Sequence, residues 1–304
     1  MTTLSPNLLE SFISEINDSK QRVNQISVIT KDETIAEYRW NEPKPQNMHS
    51  IAKTFVSMGI GFAIEEGYLR LSDTLLELLP EYMTPDNRDV LSRLTIHHLL
   101  TLSLGQDKRY LMMGQRELLE EEDWIRFCLN QPFSNKKADA FLYSNVGPYL
   151  AGRLIEKVTH QDLSRFLQAR LFEPLAISDV HWEKDPTGHT FGAGGIVLYP
   201  EDFKKVAQLY LNDGRWQGKQ ILPKNWVRYS YTKHISVDQP DDYSTHYGYG
   251  LWINERDQTY RADGAFGQLA VVYPQKEKAI VLTSEQADNR QCLEKISRLI
   301  YPYL

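Results

Sequence analysis

Apolar residues recur in distinct rhythms along the chain, and the rhythm changes twice. Leu8, Leu9, Phe12, Ile13 and Ile16 repeat at helical spacing behind Ser5-Pro6, which has the cap-then-proline form of a helix start. Residues 23–30 and 33–40 then read as two strands around the turn-like Lys31-Asp32, predicting a hairpin. A proline-containing loop over 41–46 leads to a strongly apolar segment that starts near Ser50. From about residue 68 to 183 helical periodicity dominates, with helices predicted at 95–102, 118–129, 145–158 and 163–172. From about Gly192 the pattern changes again. A helix at 200–211 and a short one near Trp226 precede strand-like runs at 247–254, 269–273 and 279–283. A last amphipathic helix carries Cys292, Ile296, Leu299 and Ile300.

The simplest assembly of these elements is an α+β fold. Strands from both ends of the chain share one sheet, terminal helices cover it, and a mostly helical lobe is inserted between. Short connections favour antiparallel neighbours at both ends. The expected division is a discontinuous sheet-and-helix domain, residues 1–67 plus 190–304, and a mostly helical domain, residues 68–189, with the active site between them.

Composition narrows the function. With 41% apolar and 24% charged residues in 304, the chain resembles an ordinary globular protein, which excludes whole-chain disorder, collagen and coiled coil. A net charge of −6 lacks the basic stripe that nucleic acid needs. Two cysteines far apart, Cys128 and Cys292, exclude a disulfide framework and a cysteine-rich zinc site. Residues 1–20 are polar and acidic, unlike a secretory signal, and no run reaches the roughly 18 apolar residues of a membrane span. A cytoplasmic, reducing location is expected.

Several catalytic signatures are missing. There is no G-x-S-x-G elbow, no H-E-x-x-H zinc motif, no phosphate-binding G-x-x-x-x-G-K-[ST] and no G-x-G-x-x-G. No metal or cofactor is expected. His97-His98 lies inside an apolar helix and reads as structural. Gly192-Ala193-Gly194-Gly195 opens no helix and marks a tight turn or a close backbone approach.

The chemistry centres on Ser50-Ile51-Ala52-Lys53, an S-x-x-K element. At a helix start, residues three apart share a face, so the hydroxyl and the amine meet. Serine is a poor nucleophile until a base takes its proton, and lysine serves only when burial or charge lowers its pKa. The helix start adds free N–H groups that suit an oxyanion. The chain holds two further matches, Ser134 to Lys137 and Ser230 to Lys233. The first sits in a polar loop and the second at the end of a short helix. Only Ser50 precedes an apolar run, 55–64, of the kind a buried central helix has.

Two other elements support this centre. Tyr143-Ser144-Asn145 opens an apolar helix and could point a phenol and an amide into a cleft, although Asn145 could equally be a plain helix cap. Residues 262–268, Ala-Asp-Gly-Ala-Phe-Gly-Gln, run into the strand at 269–273. Glycine there permits close approach, and an edge strand could hold an extended substrate and donate an N–H to an oxyanion.

Together these residues resemble the serine β-lactamase and penicillin-binding-protein family, in particular its class C-like, cytoplasmic esterase branch. Framing segments at 50–79, 94–105, 172–177 and 194–218 are similar too, so the resemblance spans about residues 20–285. It implies a β-lactamase/DD-peptidase-like fold, an antiparallel sheet flanked by helices with an all-α lobe and the site between them. It also implies that Ser50 is the acylated nucleophile and that Lys53 and Tyr143 share proton transfer. Asn145 would bond Lys53 or the substrate, and the Ser50 and Ala265 N–H groups would form the oxyanion hole. Asp263, Gly264 and Gln268 complete the expected substrate-binding set.

The departures from the family pattern shape the substrate. Counting back from Pro274, Ala262-Asp263-Gly264 stands where relatives carry a cation, a small residue and glycine. The cation helps hold a substrate carboxylate. Arg261 is no substitute, because strand alternation turns it away from Ala262's face. Ser103-Leu104-Gly105 stands where relatives often carry Thr-Ser-Gly, a change expected to affect helix-end packing. The expected function is therefore a serine hydrolase acting on a small-molecule ester or amide, most simply an esterase. A D-amino-acid peptidase or amidase selecting an amine through Asp263, a weak penicillin-binding protein, and a non-catalytic binding protein are the alternatives. Tyr229, Tyr231, Tyr243, Tyr247 and Tyr249 could wall an apolar pocket or lie on the surface. The aperiodic stretch 230–247 reads as a mobile loop over the cleft.

Overall fold

The computed structural model describes residues 8–134 and 139–304. Ser5-Pro6 and Lys137 lie outside the described residues. The helix behind Ser5-Pro6 runs Glu10–Asn17 and buries Phe12 and Ile16.

Both ends of the chain build one eight-stranded antiparallel sheet. Its order is Thr34–Arg39, Arg22–Ile29, Lys278–Gln286, Gln268–Tyr273, Thr259–Gly264, Trp252–Asn254, His246–Tyr247 and Ile235–Ser236. The ends meet where Ile26 opposes Leu282 and Val28 opposes Ile280. Period-two alternation gives the sheet two apolar faces. Leu269 and Val271 join Ile26 and Val28 under Phe12, Ile16, Leu293 and Ile296 of the terminal helices. Ala270, Val272 and Val281 face the other way, into the core that holds Phe55, Phe203 and Val206. Each of the larger aliphatic and aromatic side chains contributes about 1.5–3 kcal/mol by leaving water.

The strand Thr259–Gly264 is not visible in the sequence pattern. It is interior, with only Asp263 less than buried, and a strand covered on both faces need not alternate. It is thus no edge strand: it pairs with Gln268–Tyr273 as far as Gly264 and with Trp252–Asn254 as far as Arg261. The predicted strand 247–254 is two short strands around a turn, with Gly250 at φ 74°. The stretch 230–247 is no free loop either, since it carries the last two strands of the sheet.

Most predicted helices appear close to their expected bounds, as Ile96–Thr101, Val146–Thr159 and Pro200–Leu211. The helix expected at 118–129 starts only at Trp124, where the Asp123 side chain accepts the Arg126 N–H and caps it. The helix expected at 163–172 is α-helical over Leu163–Leu167 and closes as a π-turn over Gln168–Phe172. At the centre, Ala52–Glu65 is buried from Ala52 to Ala63 and packs against Val146–Thr159. A small antiparallel sheet of Gln46–Asn47, Ile196–Leu198 and His181–Trp182 ties the segment entering Ser50 to the glycine-rich turn. No helix among the described residues is long and apolar enough to cross a membrane.

Candidate active site

Ser50 sits in a tight 3-10 turn, His49–Ile51, that feeds the buried helix Ala52–Glu65. His49 takes a left-handed conformation, φ 49°, and its N–H donates to Asn47 Oδ1 at 2.8 Å. This bend brings Ser50 to the cleft while Lys53, one turn later, points back from the core. Ser50 Oγ lies 3.0 Å from Lys53 Nζ.

Lys53 is 2% exposed, and its amine has three partners. Nζ donates to Asn145 Oδ1 at 2.7 Å and to the Ala193 carbonyl at 2.8 Å, and the third partner is Ser50 Oγ. The Asn145 amide orientation is fixed, because its Nδ2 donates to the Leu111 carbonyl at 2.8 Å. A neutral amine has two N–H donors and one lone pair. The two oxygen acceptors use the donors, and the lone pair is left for the Ser50 hydroxyl proton. Burial, helped by the positive charge of Arg116, brings the Lys53 pKa down to about 7. The amine can therefore be neutral at neutral pH.

Tyr143 stands over the same group, with Lys53 Nζ 5.0 Å from its ring centroid. Its ring stacks on Trp252 with 5.5 Å between centroids. Burial raises the phenol well above its ordinary range, although the Ser50 hydroxyl beside it pulls the other way. Tyr143 thus keeps its proton at neutral pH. Ser144 fixes the local backbone: its Oγ accepts the Tyr110 N–H at 3.2 Å and donates to the Tyr110 carbonyl at 3.3 Å.

The opposite wall is the hairpin end at 263–268. Gly264 packs onto the turn that carries Ser50, and a Cβ there would lie 2.3 Å from the Met48 carbonyl oxygen. Only glycine fits that approach, which brings Ala265 to the cavity. The Asp263 carboxylate does not simply face solvent. It accepts Arg261 Nε at 2.9 Å and Asn289 Nδ2 at 2.5 Å. Arg261 itself points away, to the Tyr243 carbonyl and Ser244 Oγ. Gln268 lies outside the cavity wall. It is 1% exposed and donates to the Ser284 carbonyl, so it joins strands instead of facing substrate.

These groups surround a cavity of about 580 Å³, lined by Asn47, His49, Ser50, Met112, Met113, Arg116, Glu117, Tyr143, Asn145, Glu183, Ala193, Gly194, Gly195, Trp252, Asp263, Ala265 and Asn289. Ser50, Tyr143, Asn145, Asp263 and Ala265 of the expected set line it directly. Lys53 and Gly264 lie immediately behind. Sequence reasoning missed Arg116, Glu183, Trp252 and Asn289, which come from four separate segments. None of the five tyrosines lines the cavity itself, although Tyr247 packs behind its Trp252 wall with 5.1 Å between ring centroids. Tyr247 and Tyr249 are fully buried, and Tyr249 stacks on His234 and bonds His97 Nδ1 at 2.7 Å. The second histidine, His98, takes part in the capping box of its helix, so both histidines serve structure.

A serine hydroxyl held against a buried lysine amine is an arrangement that suits nucleophilic catalysis. The sequence profile described as Beta-lactamase matches residues 9–301, and the chain belongs to that family of serine hydrolases. Solved structures share the fold. The octameric penicillin-binding protein homologue from Pyrococcus abyssi superimposes with a TM-score of 0.77 at 22% identity, over 97% of this chain and 77% of that one. The penicillin binding protein from Bacillus halodurans gives 0.72 at 17% identity, over 96% and 99%. A protein described as a 6-aminohexanoate-dimer hydrolase from Bacillus anthracis gives 0.76 at 16% identity, over 95% and 80%. In sequence, the acyltransferase mokF of Monascus pilosus is 26% identical over 155 residues, which is 45% of this chain and 37% of that protein's length.

Proposed function

We propose that this chain is an esterase-like serine hydrolase that works through an acyl-enzyme on small, uncharged esters or amides, with esters preferred. The observation that carries this is the Lys53 amine, whose two donors are engaged by Asn145 and Ala193 and whose third neighbour is Ser50 Oγ. In the proposed cycle, Ser50 Oγ attacks the substrate carbonyl carbon and its proton passes to Lys53. The carbonyl oxygen becomes an oxyanion held by the Ser50 and Ala265 N–H groups. As the intermediate collapses, the bond to the alcohol or amine breaks. Lys53, directly or through the Tyr143 hydroxyl, returns the proton to that leaving group. Water then attacks the acyl carbon, gives up a proton by the same route in reverse, and releases the acid and free Ser50. The site lies between the lobes formed by 1–67 plus 190–304 and by 68–189.

Substrate charge follows from the walls. The third motif offers Ala262 and no cation. Arg116 is held by Glu183, and Glu117 and Asp263 also line the cavity. A carboxylate-bearing β-lactam or peptide end would meet net negative charge. Asp263 already has Arg261 and Asn289 on its two oxygens, which argues against its selecting a free amine. Two buried free thiols, Cys128 and Cys292, fit the reducing cytoplasm. A second reading, acyl transfer to an acceptor other than water, is favoured by the partial likeness to the fungal acyltransferase.

The test is hydrolysis of p-nitrophenyl butyrate, with intact-mass analysis after benzylpenicillin in parallel. Ester turnover with no penicillin adduct is expected. A stable adduct without ester turnover would move the protein to the penicillin-binding side, and folded protein inert to both would favour a non-catalytic role.

A further inference from the structure

The cavity contains an ion pair that the proposed cycle does not use. Arg116 Nη2 reaches both oxygens of Glu183, at 2.9 and 3.2 Å. The pair is shielded on its cationic side and open on the other, where the Glu183 side chain is 37% exposed. The guanidinium lies over the Phe191 ring, 4.3 Å from its centroid, and the Arg116 side chain is only 14% exposed. Each partner also grips one of the two walls that hold the Lys53 amine.

On the helical side, Arg116 Nη1 donates to the Leu111 carbonyl at 3.1 Å. The same carbonyl accepts Asn145 Nδ2, and Asn145 Oδ1 accepts Lys53. Leu111 sits at φ 57°, a strained conformation that has to be held by its surroundings. On the other side, the Glu183 N–H donates to the Gly195 carbonyl at 3.0 Å, and the Phe191 N–H donates to the Glu183 carbonyl at 2.8 Å. The turn between them presents the Ala193 carbonyl to Lys53. Gly195, at φ 74°, allows the contact, since a Cβ there would lie 2.2 Å from Glu183 Cβ.

We propose that the Arg116–Glu183 pair is a positioning element for the catalytic amine, bolting together the two walls whose Asn145 and Ala193 oxygens aim Lys53 at Ser50. This inference rests on the acyl-enzyme reading above. The pair also acts on Lys53 through its field, because Arg116 adds to the burial that lowers its pKa. The other groups facing Lys53 are Ser50 and Tyr143; His49, Glu117 and Asp263 line the same cavity. All of them stay in place in the variants below.

The sign of the field effect separates this role from simple packing. Removing the Arg116 charge leaves Glu183 to stabilise protonated Lys53, so the amine loses its proton at higher pH. Removing the Glu183 charge leaves Arg116 unbalanced, so the amine loses its proton at lower pH. The experiment measures kcat/KM for p-nitrophenyl butyrate from about pH 5 to 9, and the rate of Ser50 labelling by a fluorophosphonate over the same range. Arg116→Gln should move the acid limb of both profiles up by about one pH unit, and Glu183→Gln should move it down by about half a unit. Arg116→Lys should keep the limb nearer wild type than Arg116→Gln does. Limbs that coincide with wild type in both Arg116→Gln and Glu183→Gln overturn the inference, as do shifts of the same sign. Glu183→Gln is nearly isosteric and keeps the test available if Arg116→Gln misfolds. Should wild type neither turn over ester nor label, the acyl-enzyme reading fails by itself. The 13Cε NMR titration of Lys53 in the same variants then still decides the pair, with opposite shifts supporting it and no shift refuting it.

Discussion

The S-x-x-K pattern occurs twice among the described residues, at Ser50–Lys53 and at Ser230–Lys233, and the folded chain treats the two differently. Ser50 precedes a buried helix, so the spacing of three becomes one helical turn and the side chains meet at 3.0 Å. Ser230 is the last residue of the helix Lys224–Ser230, so the spacing runs on into a turn. Its hydroxyl is buried and donates to the Val227 carbonyl at 2.7 Å, while Lys233 turns outward to pair with Glu255. The partners differ in kind as well. Lys233 pairs with a carboxylate at the surface. Lys53 has no carboxylate among its hydrogen-bond partners, and its burial, with the positive charge of Arg116, favours the neutral amine. Spacing supplies proximity at a helix start, and desolvation is what would let the amine act as a base.

Substitutions at both pairs sharpen this contrast. Ser50→Ala should reduce p-nitrophenyl butyrate hydrolysis by roughly 10⁴-fold or more, to background. Ser230→Ala should leave turnover within about threefold and instead cost about 1 kcal/mol of stability in denaturant unfolding, from the lost buried hydrogen bond. Lys53→Met should lower kcat by about 10²–10⁴-fold, the range for removing a general base. Lys233→Met removes an exposed pair and should change neither rate nor stability by more than about 1 kcal/mol. The pH profile follows from the same amine: kcat/KM should fall as pH drops through about 7, where Lys53 takes up a proton and its lone pair is lost. A limb near the ordinary lysine range would contradict the lowered Lys53 pKa. Gly264→Ala tests the wall opposite Ser50, because its methyl would press on the Met48 carbonyl and displace Ala265, so turnover should fall. The substitution should also destabilise the protein by about 1–3 kcal/mol, read as a lower Tm.

The sequence disclosed what local patterning controls. Ser50 and Lys53 declare themselves by standing at the start of an apolar run, and the two sheet faces follow from alternation at 23–30, 269–273 and 279–283. Tyr143, Asn145 and Ala265 were reached through the likeness of their motifs to a known family. Tertiary approach was not legible. Arg116 opens a short 3-10 turn and Glu183 lies far off in sequence, where the Gly195 backbone passes close beside it. Thr259–Gly264 is buried on both faces and carries Arg and Asp, so it lacks strand rhythm. The visible hint there was Arg261 two residues before Asp263, a spacing that puts opposite charges on one strand face. Gln268 looked like a cleft residue by its place in the motif, but the hairpin turns it toward Ser284. Asn289 could have been suspected from Asp288-Asn289 opening the last amphipathic helix.

The account predicts that, of the two S-x-x-K serines whose lysines are described, desolvation and the Lys53 lone pair make Ser50 the nucleophile and Ser230 not. The direct test is fluorophosphonate labelling of the full chain at neutral pH, followed by peptide mapping. One adduct on the peptide bearing Ser50, lost in Lys53→Met and retained in Lys233→Met, is the predicted result. An adduct on Ser230, or Ser50 labelling that persists unchanged in Lys53→Met, would contradict the account.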